Sequence, residues 1–177
     1  NLHTIMYSAF GFSYIVGAFV SLILLRDNGT YSWLQLPFSG DGIGIIIIWL
    51  IMFSTWASDT FAYFAGLVYG KRHIVPNISP NKTLEGYVGG FVGCIVTGIV
   101  YAFITGIPLH MGFEVGLLIG IFAPLGDLFE SKLKRTCAIK DSGKLLPGHG
   151  GVLDRLDGWT AAVPVFTALY LVWSALQ

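Results

Sequence analysis

Five apolar stretches, each long enough to cross a lipid bilayer, constrain the fold of this 177-residue chain more than any other feature. A transmembrane helix needs about 20 mostly apolar residues. The stretches cover approximately residues 2–25, 43–69, 84–105, 113–133 and 156–176. We therefore predict an all-α, polytopic integral membrane protein with about five transmembrane helices, which form a single transmembrane domain over residues 1–177.

The composition agrees with a membrane protein, since 54% of the residues are apolar and only 11% are charged. A soluble domain usually carries about 25% charged residues. The formal net charge is zero, so no bulk attraction favours nucleic acid, and we expect no such partner. Because the chain begins with Asn1 rather than Met, we expect it to be the C-terminal part of a longer chain with further N-terminal helices.

The basic residues are distributed unevenly between the predicted helices. Residues 71–83 and 131–155 hold nine of the ten lysines and arginines, and Arg26 lies between the first and second stretches. The positive-inside rule then places both basic segments in the cytoplasm and the C-terminus on the other side of the cell inner membrane. Two polar segments on the same face of the membrane suggest a single site, so we predict that both are cytoplasmic active-site loops.

The fourth apolar stretch contains a proline and a polar helical face. Pro124 and Gly126 predict a broken helix at this point, because proline lacks a backbone donor and glycine adds backbone freedom. The following polar positions share one face of a helix, and the two carboxylates and the hydroxyl among them have oxygen atoms that suit Mg²⁺. They are Asp127, Glu130, Ser131 and Lys134. The alternative is a self-neutralising ion pair between Glu130 and Lys134.

A second polar group leads into the fifth stretch. Asp154 and Asp157 are three residues apart, and their alternative role is to cap the helix N-terminus. Gly150 and Gly151 allow an anion to approach the backbone closely. Arg155 suits contact with a phosphate, and its alternative role is to anchor the chain at lipid headgroups. His149 is a candidate general base, and its alternative role is a structural hydrogen bond.

Further candidates for contact with a phosphate lie in both basic segments. The first is Lys82, in the segment Ser79–Gly86 that opens the third helix, where Asn81 or Thr83 is the candidate cap. The basic cluster of the second segment forms either a phosphate clamp or only the positive-inside signal. It consists of Lys132, Lys134, Arg135, Lys140 and Lys144. Asp59 adds a carboxylate inside the second stretch, with an internal hydrogen bond or a lysine pair as the alternative.

The stretch Ser131–Asp157 resembles the signature of the phosphatidate cytidylyltransferase (CDP-diacylglycerol synthase) family. The matching fixed positions are Ser131, Lys134, Arg135, Lys140, Asp141, His149, Gly150, Gly151, Asp154, Arg155 and Asp157. Residues 79–86 resemble the family's upstream motif, with Asn81 where lysine is usual, and Gly126-Asp127-Leu128 also fits.

The resemblance implies that CTP and phosphatidate react to give CDP-diacylglycerol and pyrophosphate, with Mg²⁺ as cofactor and a second, monovalent cation such as K⁺ nearby. It implies that Asp127 and Asp154 hold the metal, with Glu130 and Asp157 in support. The implied contacts to substrate phosphates are Lys134, Arg135, Lys140 and Lys144 for the nucleotide, and Lys82 and Arg155 for the lipid. It further implies that His149, Gly150 and Gly151 shape the nucleotide loop and that Asp59 and Ser131 bind substrate.

The expected partners are membrane lipids and a second copy of the chain, because the family and the glycine-rich third stretch suggest a homodimer. Gly86, Gly89, Gly90 and Gly93 have the spacing that allows helices to approach closely.

Three other functions are weighed against this one. A cation or phosphate transporter also uses intramembrane carboxylates, although the polar residues gather here at one membrane face. A CDP-alcohol phosphotransferase would need a motif that the chain does not contain. A lipid or polyprenol kinase that uses CTP differs from a cytidylyltransferase in its products.

Overall fold

The computed structural model describes residues 2–26, 43–76, 79–136 and 157–175. These residues form five helices and one two-stranded ribbon. In chain order they are α1 (Leu2–Arg26), α2 (Ile43–Tyr69), β1 (His73–Val75), β2 (Ser79–Thr83), α3 (Leu84–Thr105), α4 (Leu109–Thr136) and α5 (Asp157–Ala175).

The helices coincide with the apolar stretches, which confirms the predicted helical architecture. Among the described residues, three helices are long and apolar enough to cross a membrane: Gly44–Tyr69, Leu84–Thr105 and Leu109–Thr136. In the described residues, α1 and α5 contribute the shorter apolar segments Gly11–Arg26 and Gly158–Leu169. The polytopic topology with five spans therefore stays a prediction.

Close backbone contacts bring α3 against both α2 and α4. A Cβ atom on Gly90 would lie 2.7 Å from the carbonyl oxygen of Ser58 in α2. A Cβ atom on Gly98 would overlap the backbone of Gly112 in α4. The close approach that the glycine spacing predicts thus occurs within one chain, so these contacts do not argue for a homodimer.

The centre of the bundle is a continuous apolar core, and α5 completes it by packing against α4 and α1. Its most buried large side chains are Ile47, Leu50, Ile51, Val115, Ile119 and Val163.

Local sequence explains where α3 begins and ends. The Thr83 side chain accepts a hydrogen bond from the Gly86 amide at 3.2 Å, which is a helix N-cap. At the other end, Gly106 adopts φ 76°, a conformation that glycine takes readily, and its amide donates to the Ala102 carbonyl at 2.9 Å. The N-cap at Thr83 fixes the start of α3, and the polar residues gather beside this end of the helix.

The predicted break near Pro124 and Gly126 was wrong, because α4 is one helix from Leu109 to Thr136 with Pro124 inside it. Proline removes a single helical hydrogen bond, the one that the Gly120 carbonyl would otherwise accept. Contacts on both sides support this turn, since Gly120 packs against Phe91 and Ala123 packs against Gly158. Packing of neighbouring helices against a proline-containing turn allows the helix to continue.

The all-α prediction also missed the ribbon. Strands β1 and β2 are antiparallel, with His73 opposite Thr83 and Val75 opposite Ser79. Together β1 and β2 cover eight of the thirteen residues of the first predicted loop, 71–83. Residues 131–136 form the last turns of α4, whereas residues 137–155 of the second predicted loop lie outside the described residues.

Candidate functional site

An ion pair between Lys82 of β2 and Asp127 of α4 is the centre of the candidate site. The Lys82 ammonium donates to one carboxylate oxygen of Asp127, although 45 residues separate the two in sequence. Both side chains are 27% exposed, so the pair is partly shielded from water and still accessible. The Ser131 hydroxyl donates to the other carboxylate oxygen at 3.4 Å. The structure thus brings together three of the predicted site residues.

The fold accounts for this contact. Lys82 immediately precedes Thr83, the N-cap of α3, so the start of that helix fixes its position. Helices α3 and α4 approach closely at Gly98 and Gly112, and further along at Phe91 and Gly120. Asp127 lies two turns beyond Gly120 on α4, which places it beside the start of α3.

Glu130 and Lys134 form a second ion pair one turn away, with 3.3 Å between Glu130 Oε1 and Lys134 Nζ. The side chain of Glu130 is only 5% exposed and that of Lys134 is 15% exposed. This is the self-neutralising pair that the sequence left open as an alternative. A buried carboxylate needs such a partner, because removing a lone charge from water is costly.

The start of α5 packs close to the same part of α4. A Cβ atom on Gly158 would lie 3.3 Å from the carbonyl oxygen of Ala123 and 3.4 Å from the Thr55 side chain. Ala123 is one turn before Asp127, so the backbone at Asp157 lies near the Asp127 turn. The side chain of Asp157 itself is outside the described residues. The packing therefore supports the expected proximity of Asp127 and the α5 entrance.

Asp59 lies on α2 beside the contact between α2 and α3. Its neighbour Ser58 is buried against Gly90 of α3, whereas the Asp59 side chain is exposed. Its role in substrate binding stays a prediction.

Arg135 is exposed in the last turn of α4.

The remaining candidates lie outside the described residues. They are Lys140, Lys144, His149, Gly150, Gly151, Asp154 and Arg155.

The described residues provide only part of a metal site. Asp127 and Ser131 offer adjacent oxygen atoms, the ligand type that Mg²⁺ prefers. In the part of the chain that the structure describes, no group of three or more His, Cys, Asp or Glu residues is placed to hold a metal. A site at Asp127 therefore fits Mg²⁺ only with further carboxylates, and the sequence offers Asp154 and Asp157 for this purpose.

Sequence reasoning missed the role of Glu85 in the first turn of α3. One of its carboxylate oxygens accepts hydrogen bonds from the backbone amides of Lys71 and Arg72, at 3.1 and 3.2 Å. An acidic residue two positions after a helix N-cap was the available signal, but its partners lie 13 and 14 residues earlier in the chain.

Fold and site define a helical protein with long apolar helices and a cluster of paired charges at one end of the bundle. A family model described as the cytidylyltransferase family matches residues 1–173. The chain belongs to this family.

Relatives named phosphatidate cytidylyltransferase agree with this assignment. The protein from Thermotoga maritima is 42% identical over 135 residues, which cover 72% of this chain and 49% of the relative. The Bacillus subtilis protein is 40% identical over 136 residues, covering 76% of this chain and 51% of the relative. The Haemophilus influenzae protein is 39% identical over 133 residues, which cover 72% of this chain and 46% of the relative. The chain thus spans about half the length of the relatives that it matches.

Proposed function

We propose that this chain is the catalytic part of a phosphatidate cytidylyltransferase, an integral membrane enzyme that makes CDP-diacylglycerol and pyrophosphate from CTP and phosphatidate. The observation that carries the proposal is the Lys82–Asp127 pair. It joins the two sequence segments that resemble the family's motifs, at one end of three apolar helices. The family assignment and the names of the relatives support the same reaction.

In the proposed reaction, a phosphate oxygen of phosphatidate attacks the α-phosphorus of CTP. A new P–O bond forms, and the bond between the α-phosphorus and the oxygen that bridges to the β-phosphorus breaks. Pyrophosphate leaves with that bonding electron pair. The attacking oxygen is already anionic, so the reaction depends on positioning and charge neutralisation more than on a general base.

The residues of the chain would divide this work between the two substrates. Lys82 stands at the entrance of α3 and would hold the lipid phosphate, with Arg155 as its partner. Lys134, Arg135, Lys140 and Lys144 would neutralise the triphosphate, and His149 with Gly150 and Gly151 would form the nucleotide loop. Ser131 and Asp59 would contact substrate.

Mg²⁺ belongs to the proposal as the cofactor that Asp127 would hold together with Asp154, supported by Glu130 and Asp157. When bound, it would neutralise charge on the phosphates. The K⁺ expected as a second cation and the homodimer are proposals that rest on the resemblance alone.

We further propose that the helices cross the inner membrane with the site on its cytoplasmic face and the C-terminus on the opposite side. Lys82 contacts Asp127 near the end of α4, so the basic residues around both lie at the same end of the bundle. They are Lys71, Arg72, Lys82, Lys134 and Arg135. Their common location agrees with the positive-inside rule.

A product assay tests the function. Purified full-length protein in detergent is incubated with labelled CTP, phosphatidate and Mg²⁺, and the lipid and nucleotide products are separated. We expect labelled CDP-diacylglycerol and one equivalent of pyrophosphate. CDP with a phosphorylated lipid would instead identify a CTP-dependent kinase, and no consumption of nucleotide by the folded protein would refute the enzyme proposal.

A further inference from the structure

Two exposed basic residues, Lys71 and Arg72, follow the end of α2 after Gly70, and the proposed reaction assigns neither of them to a substrate. Within the described residues, the two side-chain ion pairs join Lys82 to Asp127 and Lys134 to Glu130, so neither involves these two cations. The Glu85 carboxylate lies within electrostatic range of Arg72. Two cationic residues whose backbone contacts a single carboxylate carry a net positive charge, which suits an anion.

The backbone of this basic pair is held firmly against the start of α3. Glu85 accepts hydrogen bonds from both backbone amides, and the Leu84 amide donates to the Arg72 carbonyl at 2.8 Å. These three bonds tie Lys71 and Arg72 to the residues that immediately follow Lys82. The two side chains are therefore presented from a fixed backbone next to the candidate site.

The basic pair lies at the level where lipid headgroups are expected, if α2 spans the membrane as proposed. The 27 residues of α2 extend about 40 Å, at about 1.5 Å per residue, and the hydrocarbon core of a bilayer is about 30 Å thick. The last residues of α2 are apolar or aromatic and largely exposed: Leu67, Val68 and Tyr69. Exposed tyrosine followed by basic residues is typical of the membrane interface.

We propose that Lys71 and Arg72 form a docking surface for the phosphate headgroup of an anionic phospholipid. Clusters of basic residues beside a membrane helix attract such lipids electrostatically. The substrate phosphatidate carries a phosphate of this kind, so the surface collects the acceptor lipid beside Lys82 before the reaction. This last step rests on the proposed reaction, whereas the binding of the lipid rests only on the proposed position of α2 in the membrane.

The test measures binding of a short-chain phosphatidate to the detergent-solubilised full-length protein by titration calorimetry, without CTP. The variants are R72A, K71A/R72A and the charge-preserving K71R/R72K. The matched control is R26A, which removes an exposed arginine from the end of α1. We expect about a fivefold loss of affinity for each charge removed, from the interfacial attraction of one basic residue. The affinities of the control R26A and of the charge-preserving variant K71R/R72K for phosphatidate should stay within twofold of the wild-type affinity.

A fourth variant, E85A, tests the backbone contacts. It leaves both cations in place but removes the acceptor that fixes their backbone, so its affinity for phosphatidate should fall severalfold below that of E85Q, which loses the same negative charge but keeps an acceptor oxygen. Thermal unfolding of each variant confirms that the fold is intact.

Several results would overturn the proposal. Unchanged affinity in K71A/R72A would exclude the docking surface, and an equal loss in R26A would show nonspecific attraction. Competition by inorganic phosphate at the same concentration would indicate a site for free phosphate. A loss of CTP binding with phosphatidate binding unchanged would assign the pair to the nucleotide. If the pair binds phosphatidate but the protein forms no CDP-diacylglycerol, the proposed function fails and the docking surface stands.

Discussion

At the scale of single residues, the candidate site depends on how its charges are paired. Asp127, Ser131, Glu130 and Lys134 were predictable as a polar face, because helical periodicity places them together. The partner of Asp127 was not predictable from local sequence, since Lys82 lies 45 residues away and reaches it through the packing of α3 on α4. The positions of individual ion pairs therefore required the structure.

The first prediction concerns Lys82. Replacing it with methionine keeps much of its volume and removes the charge beside Asp127 and the lipid phosphate. We expect kcat/KM for CDP-diacylglycerol synthesis to fall about 100-fold or more, as for the loss of one charge-stabilising group. Stability should change by only about 1 kcal/mol, because the pair is partly exposed. Kinetics and thermal unfolding measure both effects, and activity within threefold of the wild type would contradict the role of Lys82.

The second prediction concerns the buried pair of Glu130 and Lys134. Lys134→Met leaves the Glu130 carboxylate buried without this partner and should destabilise the protein by about 3 kcal/mol. The double variant E130M/K134M removes both charges and should recover most of that loss. Unfolding measurements on the single and double variants test this. If the double variant is less stable than K134M, the pair is not self-neutralising.

At the scale of the helices, apolar length alone predicted the bounds of α2 and α3, and the glycine spacing predicted their close packing. The ribbon was missed because its strands have only three and five residues, too short for a clear alternating pattern. The predicted break at Pro124 was wrong because local propensity was overridden by packing of Gly120 and Ala123 against neighbouring helices.

The third prediction tests the contact between α3 and α4. A methyl group in G98A would overlap the Gly112 carbonyl and should push the two helices apart. We expect a destabilisation of about 1–3 kcal/mol, as for overpacking, together with reduced activity because Lys82 moves away from Asp127. Gly17→Ala is the matched control, since nothing lies within 4 Å of its added Cβ. Equal effects of the two substitutions on thermal unfolding would contradict this packing.

The fourth prediction tests the continuity of α4. Pro124→Ala restores a backbone donor for the Gly120 carbonyl in a helix that is already continuous. We expect unchanged or higher thermal stability and activity within about threefold of the wild type, since no catalytic role depends on a break. A large loss of activity with normal stability would show that a proline-dependent opening of this turn is required.

At the scale of the whole molecule, the chain combines an apolar helical bundle with one polar end. The hydropathy pattern predicted the bundle, and the signature at residues 131–157 predicted the family to which the chain belongs. The arrangement of charges at the polar end follows from contacts between distant segments, such as Lys82 with Asp127 and Gly158 with Ala123. These contacts are set by helix packing, which no single segment encodes.

The most direct test of the central claim compares D127N with E114Q in the product assay. Both variants neutralise a carboxylate on α4, but Asp127 pairs with Lys82 and Glu114 is an exposed residue near the other end of the helix. Our account predicts that D127N loses CDP-diacylglycerol and pyrophosphate formation by at least about 100-fold, the effect expected when a charge-stabilising group is lost. It predicts that E114Q forms both products at a rate close to that of the wild type. Undiminished product formation by a folded D127N protein would contradict the account.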